Sequence, residues 1–346
     1  MTPKERNVLR ELAKELAEIA HSPVQEEKRR LWRKLNAKKP DRPMVMMEQV
    51  CWNEMNVGDE LTLRCEEPEL RGIEHRLRSL LYQWRHFRVD MVVEGYYEVP
   101  KAIQGLNTWE TVFGISVEEK TLHSDSTNDV QSHHYLNQFQ TMEDVEKIKM
   151  PEIWHDEMET NRRLGIAEQL FDGILEVRTA GWDPYLSIWD PVTSLMGAND
   201  LLYMLVDNPD LMHAIAKRMS DGYMCMLDQL EEQGLLCQPQ PTIHATGAWT
   251  DELPGKDYDP DHPLCKSIWM FGLAQIFSSC SPSMFEEFEI HYSLPIFERF
   301  GMVYYGCCDP LDGKMEQVRK IPHCRKVSMS PWVNKERGAE EIHGDE

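Results

Sequence analysis

From Pro43 onward the chain repeats one pattern: a short apolar run, then a longer stretch whose apolar residues recur at three- and four-residue spacing. Short apolar runs suit strands, and the longer spacing suits amphipathic helices. Strand-like runs fall at Met44–Met47, Val89–Glu94, Phe113–Val117, Ile174–Val177, Tyr185–Trp189, Pro241–Thr246, Ile268–Phe277, Met302–Cys308 and Arg325–Met329. Helical stretches fall at 70–87, 156–172, 208–234 and 283–300. Such alternation predicts an α/β fold with parallel pairing. The number of units in 346 residues favours a closed (β/α)8 TIM barrel over two doubly wound domains.

The first 41 residues read as a helical arm ahead of a barrel domain at 42–346. Thr2, Pro3 and Glu5 form a capping-box pattern, and Leu9, Leu12, Leu16 and Ile19 then mark one helical face. A second, strongly charged helix runs from Gln25 to Lys38, and Pro40 and Pro43 end it.

Charge and composition remove several classes of function. With 37 Lys and Arg against 59 Asp and Glu, the net charge is −22. Phosphate backbones are bound by clustered cations, so nucleic acid is not the expected partner, and an anionic membrane surface is equally disfavoured. No stretch approaches the roughly 18 apolar residues of a membrane span, and the N-terminus lacks the apolar middle of a signal peptide, so the expected location is the cytoplasm. The nine cysteines form no CxxC pair and read as reduced thiols. No GxGxxG or GxxxxGK[ST] follows a strand, so a nucleotide-binding loop has no support.

In a barrel the chemistry gathers where strands end. The Met302–Cys308 strand runs into Gly306, Cys307, Cys308, Asp309 and Pro310. Cys307 is a candidate metal ligand or reactive thiol there, set against a buried structural cysteine, and Asp309 reads as a supporting carboxylate or an Asp-Pro turn. His244, at the end of the Pro241–Thr246 strand, is a candidate metal ligand or acid–base group, set against a hydrogen-bonded structural histidine. Trp182, Tyr185 and Trp189 surround one strand together with Asp183 and Asp190 and could stack on a planar substrate, though packing is their commoner use. Glu94 and Glu98 border another aromatic strand end, and Glu94 is a candidate ligand or base. His133 and His134 read as surface residues, and the Glu286, Glu287 and Glu289 run reads as a solvated helix face.

Several segments together resemble the uroporphyrinogen decarboxylase superfamily, which includes cobalamin-dependent methyltransferases. The entry Arg42-Pro-Met-Val-Met-Met-Glu-Gln49 looks like its first strand, and Thr141-Met-Glu-Asp-Val-Glu-Lys-Ile148 is similar to its "ED…L" helix entry. Asn208-Pro-Asp-Leu211 resembles its "NPEL" helix, and Ser281-Pro-Ser-Met-Phe-Glu-Glu-Phe288 its "SPEMFREF" helix. The Val303–Pro310 strand falls where the family has HxCG. The resemblance covers about residues 42–332 and implies a TIM barrel, commonly a homodimer.

Departures from the family narrow the expectation. The decarboxylases carry "MRQAGR" in the first strand, where this chain has Met47-Glu-Gln-Val-Cys-Trp52. Without those arginines a tetrapyrrole's carboxylates lack partners, so decarboxylation is rejected. The thiol-activating methyltransferases bind zinc through His-x-Cys, where this chain has Tyr305 and Cys307. The resemblance therefore implies transfer of a methyl group from a small donor, a methoxylated aromatic, to the Co(I) of a corrinoid on a partner protein. In that reading zinc on Cys307 and His244, with Glu94 as a further ligand or base, or else Tyr305 as proton donor, assists the leaving oxygen, while Trp182, Tyr185 and Trp189 stack on the substrate. The alternatives are a zinc-dependent methylcorrinoid:thiol methyltransferase and a non-catalytic ligand-binding barrel.

Overall fold

A computed structural model describes residues 1–122 and 132–342. The chain is a mixed α/β protein, 46% helical, with small sheets. It divides into two compact units, one built from residues 1–102, 156–181 and 240–252, the other from 103–155, 182–239 and 253 onward.

In the first unit the expected helical arm is two helices, Pro3–Ala20 and Pro23–Asn36. The capping box is formed: the Glu5 amide donates to Thr2 Oγ1 at 3.3 Å, and the Thr2 amide donates to Glu5 Oε2 at 2.7 Å. These helices are integral to the unit. Leu9, Ala13 and Leu16 are buried in one core with Leu77 and Leu81 of the Pro68–His86 helix and Leu170 and Phe171 of the Glu157–Phe171 helix. That core backs two parallel strands, Tyr96–Pro100 and Glu176–Ala180, paired from Tyr96 with Glu176 to Pro100 with Ala180. The segment 240–252 is fastened to the second helix: Asn36 Nδ2 donates to the Gly247 and Trp249 carbonyls at 3.1 and 2.7 Å, and Trp32 lies flat on Gly247. A Cβ at Gly247 would stand 2.4 Å from the Trp32 ring, so only glycine permits that approach.

Two expected strands of this unit are irregular. Met44–Met47 and Val89–Glu94 contain no regular strand. They meet at one point, where the Asp90 amide donates to the Val45 carbonyl at 3.0 Å and the Val45 amide to Asp90 Oδ2 at 2.8 Å. Arg42 completes a bidentate pair with the buried Asp90 carboxylate, at 2.8 and 2.6 Å. A side chain thus takes a donor that a ladder would have used, and Pro43 has none to offer.

The second unit holds a four-stranded parallel sheet in the order Cys324–Val327, Met302–Tyr305, Trp269–Gly272, Tyr185–Leu186. Its helices include Trp189–Met196, Ala198–Asp207 and Pro209–Glu232, the last capped by Asn208. Another helical stretch begins at Pro282 under the Ser281 cap, passes through a π-helical turn at Phe285–Ile290 and continues as His291–Phe297. Leu186, Val303 and Tyr305 turn toward these helices and join their core. Parallel pairing and strand–helix alternation are as expected in this sheet, but the expected strands Phe113–Val117 and Pro241–Thr246 are instead short antiparallel hairpins, Thr111–Val112 with Ile115–Ser116 and Thr242–Ile243 with Thr246–Gly247. Among the described residues no closed barrel is traced, and the remaining strands form two-stranded pieces. No described helix is long and apolar enough to cross a membrane.

Candidate functional site

The ends of the parallel strands in the second unit carry an unusual number of buried ionisable groups. Strand Tyr185–Leu186 leads through Ser187 to Asp190, in the first turn of helix Trp189–Met196. Ser187 serves both sides of this turn: its Oγ accepts the Asp190 amide at 3.0 Å, and its carbonyl accepts the Tyr223 hydroxyl at 2.9 Å. The next strand, Trp269–Gly272, leads to Gln275, whose backbone and side chain hydrogen-bond the Asp190 carboxylate. Burial nevertheless pushes Asp190 up to about 6, and the nearby Asp309 charge adds to the rise.

Asp309 follows the Met302–Tyr305 strand and is fully buried. Its Oδ1 accepts the Cys307 amide at 3.2 Å, while its Oδ2 has no hydrogen-bond partner. Burial raises its pKa and Lys314 opposes the rise. Lys314 is itself buried, donating Nζ to the Phe277 carbonyl and lying 5.3 Å from the Phe285 ring centre.

Glu289 completes the cluster and corrects the reading of its helix as a solvated face. Glu287 is exposed, but Glu289 is 1% exposed in the π-helical turn. Tyr305 donates its hydroxyl to Glu289 Oε1 at 3.1 Å, and Oε2 has no partner. Burial pushes Glu289 up to about 8, with Asp190 and Asp309 contributing. Near neutral pH this carboxyl is mostly protonated. The sequence signal was present: Glu289 lies four residues after Phe285 and three before Tyr292, on the buried side of the helix.

The other anticipated residues are distributed unevenly. Tyr305 is wholly buried between the Phe285 and Phe297 rings, at centroid distances of 5.9 and 5.8 Å, and its hydroxyl is engaged by Glu289. Trp189 is a core residue, bonded through Nε1 to the Phe288 carbonyl at 3.2 Å. Trp182 is half-buried against the same core, its backbone paired with Leu235 and Cys237. Tyr185 alone of the three aromatics is exposed, and its ring begins a row with Phe271 and Tyr304, successive centroids 5.2 Å apart. Cys307 is half-buried beside exposed Cys308. Tyr305, Cys307, Trp182, Tyr185 and Trp189 thus share the second unit, whereas Glu94 and His244 belong to the first. There Glu94 is held by Arg29 at 2.8 Å, and burial lowers the pKa of His244.

A catalytic zinc takes three protein ligands. Among the described residues no three His, Cys, Asp or Glu side chains converge to hold an ion. The residues around Cys307 do not make that set.

What the cluster can do is hold and deliver a proton. Burial raises the pKa of all three carboxyl groups, the Asp309 charge adds to the rise at Asp190, and Asp190 and Asp309 add to it at Glu289; Asp190 is the one that is only partly buried. An acid of pKa about 6 beside an exposed aromatic ring suits general acid catalysis on a flat substrate. No family model and no curated protein matches the chain.

Proposed function

We propose that this protein is a corrinoid-linked methyltransferase of the TIM-barrel type that cleaves the methyl ether of a small methoxylated aromatic. The observation that carries the reading is Asp190, a carboxyl pushed up to about 6 at a parallel strand end, five residues after the exposed Tyr185, whose hydroxyl feels its charge. An aryl oxygen leaves a methyl group poorly unless it gains a proton as the bond breaks. Asp190 supplies that proton, and the C–O bonding pair remains on the oxygen, so the products are a phenol and a carboxylate.

The surroundings support the role. Ser187 and Gln275 fix the carboxyl's orientation, while burial and the Asp309 charge disfavour its ionisation. Tyr185 offers the face on which an aromatic ring stacks. A corrinoid on a partner protein supplies the nucleophile that accepts the methyl group, and no residue here is assigned to hold it. The methyl acceptor comes from the family resemblance, and the acid from the geometry. Parallel strands followed by helices support the barrel architecture.

The test combines the purified chain with reduced cob(I)alamin and a panel of methoxybenzoates. Formation of methylcobalamin with an equal amount of phenol is expected, falling at least a hundredfold in Asp190→Asn, in line with a roughly 10²–10⁴-fold contribution from general acid catalysis. No transfer from any donor overturns the function. Transfer unaffected by Asp190→Asn overturns the assignment of the acid.

A further inference from the structure

Neighbouring side chains in extended backbone point to opposite sides, so adjacent cysteines normally hold their sulfurs apart. Cys307 and Cys308 depart from this: their Sγ atoms are 3.5 Å apart. The strand has just ended at Tyr305, and Gly306, at φ +94°, turns the chain. The turn is fixed from several directions. The Gly306 amide donates to the Gly272 carbonyl at 2.8 Å, the Cys307 amide to Asp309 Oδ1 at 3.2 Å, and Ser328 Oγ to the Cys307 carbonyl at 2.7 Å. Both thiols are free, Cys308 exposed and Cys307 half-buried. The pair is therefore held ready and can be reached from solvent.

We propose that Cys307 and Cys308 form a two-sulfur binding site for trivalent arsenicals. The spacing selects the ligand. Two bonds of about 2.3 Å, the length of a zinc–thiolate bond, span 3.5 Å when they meet at little more than a right angle. A pyramidal trivalent centre presents that angle, whereas a tetrahedral zinc spreads its ligands wider and needs further protein donors. The third position on arsenic is filled by the ligand's own organic group.

With phenylarsine oxide the chemistry balances without a redox step. Two S–H bonds and the arsenic–oxygen bond break, two As–S bonds form, and the two protons leave with the oxygen as one water. Arsenic remains trivalent. The exposed Cys308 makes the first bond. Burial and the Cys308 thiol push Cys307 up to about 12, so it reacts second, when ring closure has become intramolecular. The site stands whether or not the chain transfers methyl groups.

The reduced full-length protein is treated with phenylarsine oxide, washed with excess 2-mercaptoethanol, and analysed by intact and peptide mass spectrometry. A single thiol loses its arsenical to excess monothiol, while a chelating pair retains it until a dithiol such as 2,3-dimercaptopropanol is added. One phenylarsenic group per chain, mapped to the peptide containing 307 and 308, is the expected result. Retention should fall at least tenfold in both Cys307→Ser and Cys308→Ser, the latter an exposed position where folding is not at stake. No retention in the parent protein, or equal retention in Cys308→Ser, overturns the proposal.

Discussion

Replacing Glu289 with Gln removes an ionisable group while keeping its size and an oxygen that can accept the Tyr305 hydroxyl. In the native protein Glu289 moves from an ordinary 4.5 to about 8 through burial. A native pKa above the unfolded one means that the folded state holds the extra proton, so this group's contribution to stability falls as pH rises through that window. At about 1.4 kcal/mol per pH unit, the fully ionised carboxylate costs about 5 kcal/mol. Between about pH 6 and 8.5 the part of that cost which develops is about 2.5 kcal/mol. Urea unfolding of both proteins across this range tests the magnitude. The parent should lose about 2.5 kcal/mol more than Glu289→Gln, because groups common to both cancel in the comparison. Asp190, at about 6, titrates mostly at the acidic end. Parallel pH profiles, differing by less than about 0.5 kcal/mol, would refute the buried protonated carboxyl at Glu289.

In the proposed methyl transfer Asp190 must be protonated, so kcat/KM should fall tenfold per pH unit above about 6, and Asp190→Asn should abolish that dependence; stopped-flow formation of methylcobalamin across pH measures both. Tyr305→Phe leaves Glu289 Oε1 without its donor and should cost about 1–3 kcal/mol in urea unfolding. The same variant should move the Glu289 titration upward, because the lost bond had favoured the carboxylate. Gly247→Ala drives a Cβ to 2.4 Å from the Trp32 ring, and thermal and urea unfolding should show a loss of about 1–3 kcal/mol.

Helices were the most legible part of the fold. Stretches expected at 156–172 and 208–234 appear as Glu157–Phe171 and Pro209–Glu232, because caps and three- and four-residue periodicity are local properties. Strands were legible as apolar runs but not as boundaries. Ile268–Phe277 contracts to Trp269–Gly272, and Tyr185–Trp189 splits into a two-residue strand and a helix start. A strand exists only where a partner offers its donors and acceptors, and no single run contains that information. The failure at Met44–Met47 has the same origin, since it depends on Arg42 and Asp90 meeting across 48 positions of sequence.

The site was legible where chemistry followed a strand end and opaque where it arrived on a helix. Asp190 in a helix's first turn, and Cys307 and Asp309 in a loop, all follow strand ends that the alternation of elements already singled out. Glu289 was hidden by its company: in a run with Glu286 and Glu287, residue type assigns it to water. Helical phase assigns it to the core, four residues beyond Phe285, and the structure follows the phase. The two criteria disagree only where a charged residue occupies a buried position, and that residue must then be neutralised, paired or strained. Glu289 is neutralised by retaining its proton, which makes the disagreement itself a marker of unusual acid–base character. Tyr305 carries the same lesson in reverse. Its match to the family's His position implied a proton donor, yet its side chain lies on the helical side of the sheet, where its hydroxyl steadies Glu289 while Asp190 occupies the more open end of the cluster.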